Sequence, residues 1–298
     1  MLTILITSYN VERYIALAVA SARAQTGVRC EIVVVDDAST DGTWEIVQSL
    51  RGDDMQCLRL TANSGPGAAR NAGLALARGE WIAVLDGDDV FLPGRLVRCL
   101  ARVGEADLVV DDLQTLREAD GTNAPMLGAR LKAPLTLASF IEGNSQFLDG
   151  YTLGYLKPIL RRSFLESHAI RYPEDIRIGE DYILMLRLLA AGARVAVEPL
   201  AGYGYTIRAG SISHRLSAAD VARMEAADAA FFAQHRASPE ALRAQARRLR
   251  NLNFALSYQH WVEALKARDI NGLLRLITES PEGALGLWRP LAARLGWR

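Results

Sequence analysis

The chain is poor in the features that most often announce a specialised architecture. Only three cysteines are present, Cys30, Cys57 and Cys99, far apart and at no metal-ligand spacing, and an odd number suits no disulfide framework. They read as reduced core residues of a cytoplasmic protein. Neither sign of charge prevails, since Lys plus Arg and Asp plus Glu each number 34, which argues against a surface built for nucleic acid. No apolar run reaches the length of a membrane span, so any membrane contact is expected to be peripheral. The N-terminal MLTILITSYN is apolar but short, lacks the basic flank of a signal peptide, and reads as a first strand. No glycine fingerprint of the dinucleotide-binding type follows that strand, whose exit is TSYNVERYI, so a nicotinamide enzyme is disfavoured. Internal repeats and low-complexity tracts are missing too. What the chain does have is length and apolar content: 298 residues, 50% of them hydrophobic, allow one large or two modest cores without staples.

The first third alternates. Apolar strands are expected at Leu2 to Ile6, Glu31 to Val35, Cys57 to Leu60, Trp81 to Leu85 and Leu108 to Val110. Amphipathic helices are expected between them, at Val11 to Ala24, Thr40 to Leu50, Gly67 to Ala77 and Pro93 to Arg102. Strands that are nearly all apolar, each followed by a helix, predict an α/β domain with a parallel sheet covered on both faces. Ligands of such sheets bind beyond the carboxyl ends of the strands, where Thr7 to Asn10, Asp36 to Asp41 and Asp86 to Asp89 all fall. After Asp112 the rhythm breaks into a polar stretch. Helices are then expected near Leu137 to Glu142, Arg162 to His168 and Asp181 to Ala191, with short strands at Tyr155 to Leu160, Arg194 to Val197 and Tyr203 to Arg208. From Ser217 onward the pattern is helical, punctuated by Pro239, Pro281 and Pro290.

The polar clusters admit two readings each. The stretch VLDGDDV (Val84 to Val90) ends a buried strand in three carboxylates, which repel unless a cation sits among them; a divalent ion is one account, capping of the next helix the other. In VVVDDASTDGT the paired Asp36 and Asp37 favour ligand contact, Asp37 being able to take the imide N–H of a uracil, whereas Ser39 and Asp41 read as turn and cap residues. Tyr9 can lie against a base and Thr7 can offer backbone groups, or both are ordinary strand-end residues. In NSGPGAARNAG the glycines permit close backbone approach, and Arg70 either attends a diphosphate or holds the acidic cluster.

These four stretches, ITSYN, VVVDDASTDGT, NSGPGAARNAG and LDGDDVFLPGRL, in that order and spacing over residues 2 to 112, resemble the inverting family 2 glycosyltransferases with the GT-A fold. The resemblance implies a nucleotide-sugar donor, usually UDP-linked, and Mg²⁺ or Mn²⁺ held through an Asp-x-Asp element. Matched residue by residue, it implies that Asp37 contacts uracil, Asp86 lies near the ribose and Asp88 binds the metal, with Asp89 less clearly involved. FIEGNSQF, GYLKPILRRSFLESHAIRY, IRIGEDYILMLRLLAAGAR and GYGYTIRAGSISH resemble, more particularly, the bacterial exopolysaccharide glucosyltransferases of the succinoglycan type, extending the likeness to about residue 214. By that match Asp181 stands at the place of the catalytic base, with Glu180 as its acceptor-binding neighbour, although acids in a first helical turn also complement the dipole. His214 either completes the metal or diphosphate site or is structural, and Lys157, Arg161 and Arg162 either meet an anionic acceptor or hold the fold.

The resulting expectation is a GT-A domain with a nucleotide-sugar-binding half at 1–112, an acceptor-binding half at 113–214 and a C-terminal helical extension at 215–298. Its reaction would be a single displacement from UDP-glucose or a relative onto a saccharide, probed first with lipid-linked exopolysaccharide intermediates, giving a β-linkage. Asp181 would be the base, with a metal on Asp88 assisted by Asp86 and His214. Two other classes share the features: a nucleotidyltransferase acting on a sugar phosphate, and a catalytically silent UDP-sugar-binding protein. From Arg236 to Arg298 basic residues clearly outnumber acids and Trp261, Trp288 and Trp297 recur, a composition that fits either an interfacial helix at the inner face of a membrane or an ordinary helical subdomain.

Overall fold

The computed structural model describes residues 1–117, 123–144, 152–207, 217–284 and 286. The alternation takes form as β1 (Leu2–Ser8), α1 (Ile15–Arg23), β2 (Cys30–Asp36), α2 (Thr43–Ser49), β3 (Met55–Arg59), α3 (Pro66–Leu76) and β4 (Trp81–Asp86). β1 pairs in parallel with both β2 and β4, and β2 with β3, giving the order β3-β2-β1-β4. The central residues of these strands, Ile4, Leu5, Ile6, Val33, Val34, Val84 and Leu85 among them, are fully buried, which is why the strands read as apolar runs without alternation. Because β2 and β4 flank β1 on opposite sides, the winding direction reverses there and leaves a crevice beyond the strand ends.

Beyond β4 the sheet is mixed. It continues through β5 (Val90–Phe91), α4 (Arg95–Ala101), β6 (Leu108–Arg117), β7 (Asn123–Pro125), α5 (Leu137–Glu142), β8 (Ile159–Arg161), α6 (Arg162–Ser167), α7 (Glu180–Ala190) and β9 (Val195–Ile207). β8 lies antiparallel between β4 and β6, β9 runs parallel to β6, and β5 is antiparallel to β9. The sheet is thus mainly parallel, as expected, with antiparallel insertions. Two expected strands, at 194–197 and 203–208, are one long β9, which Pro199 and Gly202 disguise and which shifts register opposite Asp111 to Leu113. The expected helix starts at Val11 and Thr40 are turns instead. The backbone N–H of Val11 donates to Thr43 Oγ1, and Asp41 receives Thr43 N–H, so α2 begins only at Thr43.

Two compact units divide the chain, residues 1–137 with 153–211, and residues 138–152 with 212–298. The boundary expected at 112 lies inside β6. The second unit carries α8 (Ala218–Gln234), α9 (Pro239–Ala267) and α10 (Ile270–Glu279). Ser217 and Asp220 form a capping box at the start of α8, and Ser238 caps α9 with Pro239 at its first position. Inside this unit Arg248 donates to buried Asp228 at 2.8 Å and to the carbonyl of Asn144 at 2.7 Å. Trp261 is buried and its indole N–H donates to the Ser280 carbonyl at 2.8 Å, so this tryptophan ties α10 to α9 rather than facing a membrane. Trp288 and Trp297 lie outside the described residues.

Candidate active site

The three strand exits have distinct parts. At the end of β2, Asp36 is fully buried and accepts hydrogen bonds from Ser8 Oγ at 3.2 Å, Ser39 N at 3.0 Å and Ser39 Oγ at 2.5 Å, so it fixes the turn. Asp41 is a turn residue ahead of α2, accepting from Thr43 N and Oγ1, while the cap position itself is Gly42. Asp37 reaches across to the glycine-rich turn before α3, accepting from Ser64 N at 2.7 Å and Gly65 N at 2.9 Å. Burial raises its pKa above the usual aspartate range despite those bonds. Each of its oxygens keeps a second acceptor direction. Tyr9, at the exit of β1, is 40% exposed, whereas Thr7 is buried and offers its carbonyl to Gly87 N at 2.8 Å.

The Asp86-Gly87-Asp88-Asp89 turn at the end of β4 packs tightly on β1. A Cβ at Gly87 would lie 2.9 Å from the Thr7 carbonyl oxygen, so only glycine lets the turn approach. The three carboxylates then diverge. Asp89 points inward, 2% exposed, accepting from Tyr203 Oη and Thr206 N, each at 2.8 Å. Tyr203 Oη in turn accepts from Asp86 N at 3.0 Å, which makes this β9 tyrosine the organiser of the turn. Burial, then the charges of Asp88 and Asp86, push the Asp89 carboxyl well above its ordinary range. Asp88 is half-buried at the rim, beside a cavity of about 280 Å³ that Arg13, Tyr14, Leu116, Arg117 and Thr206 also line.

Asp86 belongs to a buried ion cluster. Arg70, from α3 and 2% exposed, donates from Nη2 to Asp86 Oδ1 at 2.7 Å and from Nη1 to Glu180 Oε1 at 2.6 Å. Its Nη1 is also 3.3 Å from Asp181 Oδ1. Lys157 brings Nζ to 2.5 Å from Asp181 Oδ2 and 2.8 Å from Asp86 Oδ2. Gly179, at φ 92°, makes the left-handed turn that starts α7 and delivers Glu180 and Asp181 into the cluster. Two cations thus serve three carboxylates. Burial alone would raise the Asp86 carboxyl, but the charges of Lys157 and Arg70 hold it well below the ordinary range. Glu180 goes the other way, raised by burial and then by the charge of Asp181. Among the described residues three buried polar atoms here have no hydrogen-bond partner: Asp181 Oδ1, Arg70 Nε and Tyr172 Oη.

Of the expectations for this site, Asp37, Asp86 and Asp88 line the rim, and Glu180 and Asp181 join Asp86 through shared cations. Arg70 lies in the acidic cluster and pairs with all three of its carboxylates, as the second of its two readings has it. Asp86 was expected to help ligate the metal; both its oxygens are engaged by Arg70 and Lys157, so in this arrangement it is the anion that recruits those cations. His214 lies outside the described residues. Arg161 and Arg162 hold the fold by donating to the Ala106 and Gly79 carbonyls. Tyr203 is the site residue the sequence did not single out, and Lys157, read there as an acceptor contact or a fold residue, instead bridges Asp86 and Asp181.

Among the described residues no group of three or more His, Cys, Asp and Glu side chains is set to hold a metal. A cation held by one carboxylate and the oxygens of a diphosphate needs no such cage, and magnesium in nucleotide enzymes is commonly held that way. Asp88, half-buried at the rim of this turn, is the carboxylate of the right chemistry to hold one.

A family model described as glycosyl transferase family 2 matches residues 3–164. The succinoglycan biosynthesis protein ExoO of Rhizobium meliloti (strain 1021) is 44% identical over 299 residues, covering 98% of this chain and 85% of that protein. This chain belongs to glycosyl transferase family 2. Its fold is similar to that of S. aureus TarS 1-349 in complex with UDP-GlcNAc, with a TM-score of 0.66 at 21% identity over 95% of this chain and 92% of that one. The mannosyltransferase PcManGT from Pyrobaculum calidifontis, in complex with GDP-Man and Mn²⁺, gives a TM-score of 0.61 at 18% identity over 99% and 83%. At such identities the likeness is one of fold, and the fold of this family 2 glycosyltransferase is GT-A.

Proposed function

We propose that this family 2 glycosyltransferase moves a sugar, glucose being the first candidate, from a UDP-linked donor to a saccharide acceptor in one inverting displacement. The observation that carries the reading is the carboxylate pair Asp86 and Asp181, bridged by Lys157 and Arg70, with Asp181 Oδ1 buried, 3.3 Å from Arg70 Nη1 and without a hydrogen-bond donor among the described residues. An acceptor hydroxyl is the partner that oxygen requires. As the acceptor oxygen forms its bond to the sugar C1, its proton passes to Asp181 Oδ1. The C1 bond to the diphosphate breaks on the opposite face, UDP departs, and an α-linked donor yields a β-glycoside. On the donor side Asp37 takes the uracil imide, Tyr9 lies against the base and Asp86 sits near the ribose. Asp88 holds Mg²⁺ or Mn²⁺, with His214 as a further candidate ligand. When bound, such an ion supplies neutralisation of the charge that grows on the departing diphosphate.

The acceptor class follows from the relative's printed role in succinoglycan biosynthesis, which suggests a growing exopolysaccharide repeat unit on a lipid carrier. No helix among the described residues is long and apolar enough to cross a membrane. Contact with such a carrier is assigned to α10, which exposes Ile270, Leu274 and Ile277 at 71%, 61% and 56%, a spacing that places them on one helical face. The test is a panel of UDP-sugars with Mg²⁺ or Mn²⁺, scored for UDP release with and without a lipid-linked oligosaccharide, and for the anomer formed by NMR. Pyrophosphate in place of UDP would identify a nucleotidyltransferase. Binding of UDP without turnover on any acceptor would leave a silent donor-binding protein.

A further inference from the structure

Lys157 lies 6% exposed between two carboxylates that the proposed reaction uses for different substrates. We propose that Lys157 is a positioning residue for the transfer step: it holds Asp181 by Oδ2, so that Oδ1 alone faces the acceptor, and it links that carboxylate to Asp86 on the donor side. The proposal rests on the reading of Asp181 as the base.

Three features favour this over a merely structural lysine. Burying an ammonium costs several kcal/mol, and well-packed hydrophobic residues usually serve stability as well or better, so packing alone does not call for a charge here. The backbone under Lys157 is itself anchored. Arg95, fully buried, donates from Nη2 to the Lys157 carbonyl at 2.6 Å, while Asp111 receives its Nε at 2.9 Å and its Nη2 at 2.8 Å. A side chain held this way meets Asp181 in a fixed place, the condition for preorganised catalysis. Finally, the contacts are those of a point charge. Nζ reaches one oxygen of each carboxylate, Oδ2 of Asp181 and Oδ2 of Asp86, and leaves Asp181 Oδ1 without a hydrogen-bond donor among the described residues. An arginine fork in the same place would tend to take both oxygens of one carboxylate and obstruct the proton-accepting one.

The ammonium also neutralises part of the surplus negative charge around Asp181. Its own pKa is raised, since the charges of Asp181 and Asp86 outweigh the burial that would lower it, so it stays protonated throughout the working range. It donates a fixed charge and no proton.

The test is a double-mutant cycle with UDP-glucose, acceptor and metal, measuring kcat, both KM values and folded stability for the parent, Lys157→Met, Asp181→Asn and the double variant. A positioning lysine acts only through the base it positions. Lys157→Met should lower kcat by about 10- to 100-fold, with smaller changes in either KM, which is the scale of a misplaced catalytic group. On the Asp181→Asn background the same change should cost less than about twofold. If Lys157→Met does not fold, the cycle is run with Lys157→Arg, which keeps the charge and is expected to stay folded with kcat reduced in the same background-dependent way. Equal fold losses in the two backgrounds, or parent-like kcat for a folded Lys157 variant while Asp181→Asn is slow, would overturn the assignment of Lys157 alone. Parent-like kcat for Asp181→Asn would instead remove the base and the reading on which the proposal depends.

Discussion

Replacing Asp181 by Asn separates chemistry from folding, because the structure assigns the two effects opposite signs. The cluster pairs Arg70 and Lys157 with Asp86, Glu180 and Asp181, leaving one negative charge in excess. Asn at 181 removes that excess and keeps a carbonyl that accepts from Lys157, while Lys157 retains Asp86 at 2.8 Å. The helix-terminal charge given up at the start of α7 is worth about 0.3–1 kcal/mol, and the relief of Glu180, whose carboxyl is raised by burial and then by Asp181, offsets it. Stability should therefore stay within about 1 kcal/mol of the parent, or rise, as substitutions that relieve an active-site strain commonly do. The rate moves the other way. Losing a general base costs about 10² to 10⁴ in turnover, or roughly 2.7–5.5 kcal/mol of barrier. Urea unfolding, UDP titration by calorimetry and sugar transfer on the same preparation decide it. The expected protein is stable, binds UDP and is at least about a hundredfold slower. A stability loss above about 3 kcal/mol, the scale of a broken buried ion pair, would make Asp181 the structural partner of Lys157 and refute the assignment.

Arg70→Met should be severely destabilising, by about 3–5 kcal/mol at pH 7.5, because three buried carboxylates keep one cation. Glu180 already titrates above its ordinary range, so between that range and its folded pKa the folded state holds the extra proton and stability falls as pH rises; removing Arg70 widens the window. The deficit against the parent should accordingly shrink as pH is lowered from 7.5 to 5.5 in denaturant titrations, and a pH-independent deficit would count against the charge account. Asp88→Ala should abolish metal-dependent tightening of UDP binding at near-parent stability. Asp89→Ala should instead cost about 1–3 kcal/mol of stability, since Tyr203 Oη and Thr206 N lose their acceptor, with a weaker effect on UDP and Mn²⁺ titrations. Ile270→Glu with Leu274→Glu should reduce co-sedimentation with anionic vesicles at low salt while leaving the circular dichroism melt unchanged; equal sedimentation of both proteins would leave α10 without a membrane role.

How far the sequence alone could be read depended on whether a residue acts locally or across the fold. The β1 to β4 strands were legible because strands covered on both faces are apolar throughout, and Asp41 was legible as a turn residue because its partner, Thr43, is two residues away. β8 was harder. Its place between β4 and β6, antiparallel, depends on partners some 80 and 50 residues distant, and three residues carry no periodicity. The motifs located Asp37, Asp86, Asp88 and Asp181, yet motif reading treats each acid singly. That Asp89 is a buried anchor for Tyr203, that Arg70 spends its charge on Glu180 and Asp86, and that Lys157 bridges Asp86 to Asp181 are facts of contact across 114, 110 and 24 residues. No local pattern encodes them. Trp261 is of the same kind: its basic surroundings left an interface and a helical subdomain both open, and only the contact of its N–H with the Ser280 carbonyl, 19 residues away, places it inside the subdomain.

The acidic turn after β4 and the ion cluster at the start of α7 are the two places to which the proposed chemistry brings positive charge. At the Asp86 to Asp89 turn burial, then the charges of Asp88 and Asp86, raise the Asp89 carboxyl, and a divalent ion shared with a diphosphate would offset those charges. In the ion cluster burial, then the charge of Asp181, raises the Glu180 carboxyl, and the acceptor's proton arriving on Asp181 would remove the second cause. A folded core selected for stability alone would not bury three carboxylates on two cations, nor leave Asp181 Oδ1 without a donor among the described residues. In the proposed reaction both sites would be neutralised by substrate-derived species, positive charge arriving with the donor and a proton arriving with the acceptor. Neutralisation then occurs during the reaction rather than on folding, which is the differential stabilisation catalysis requires.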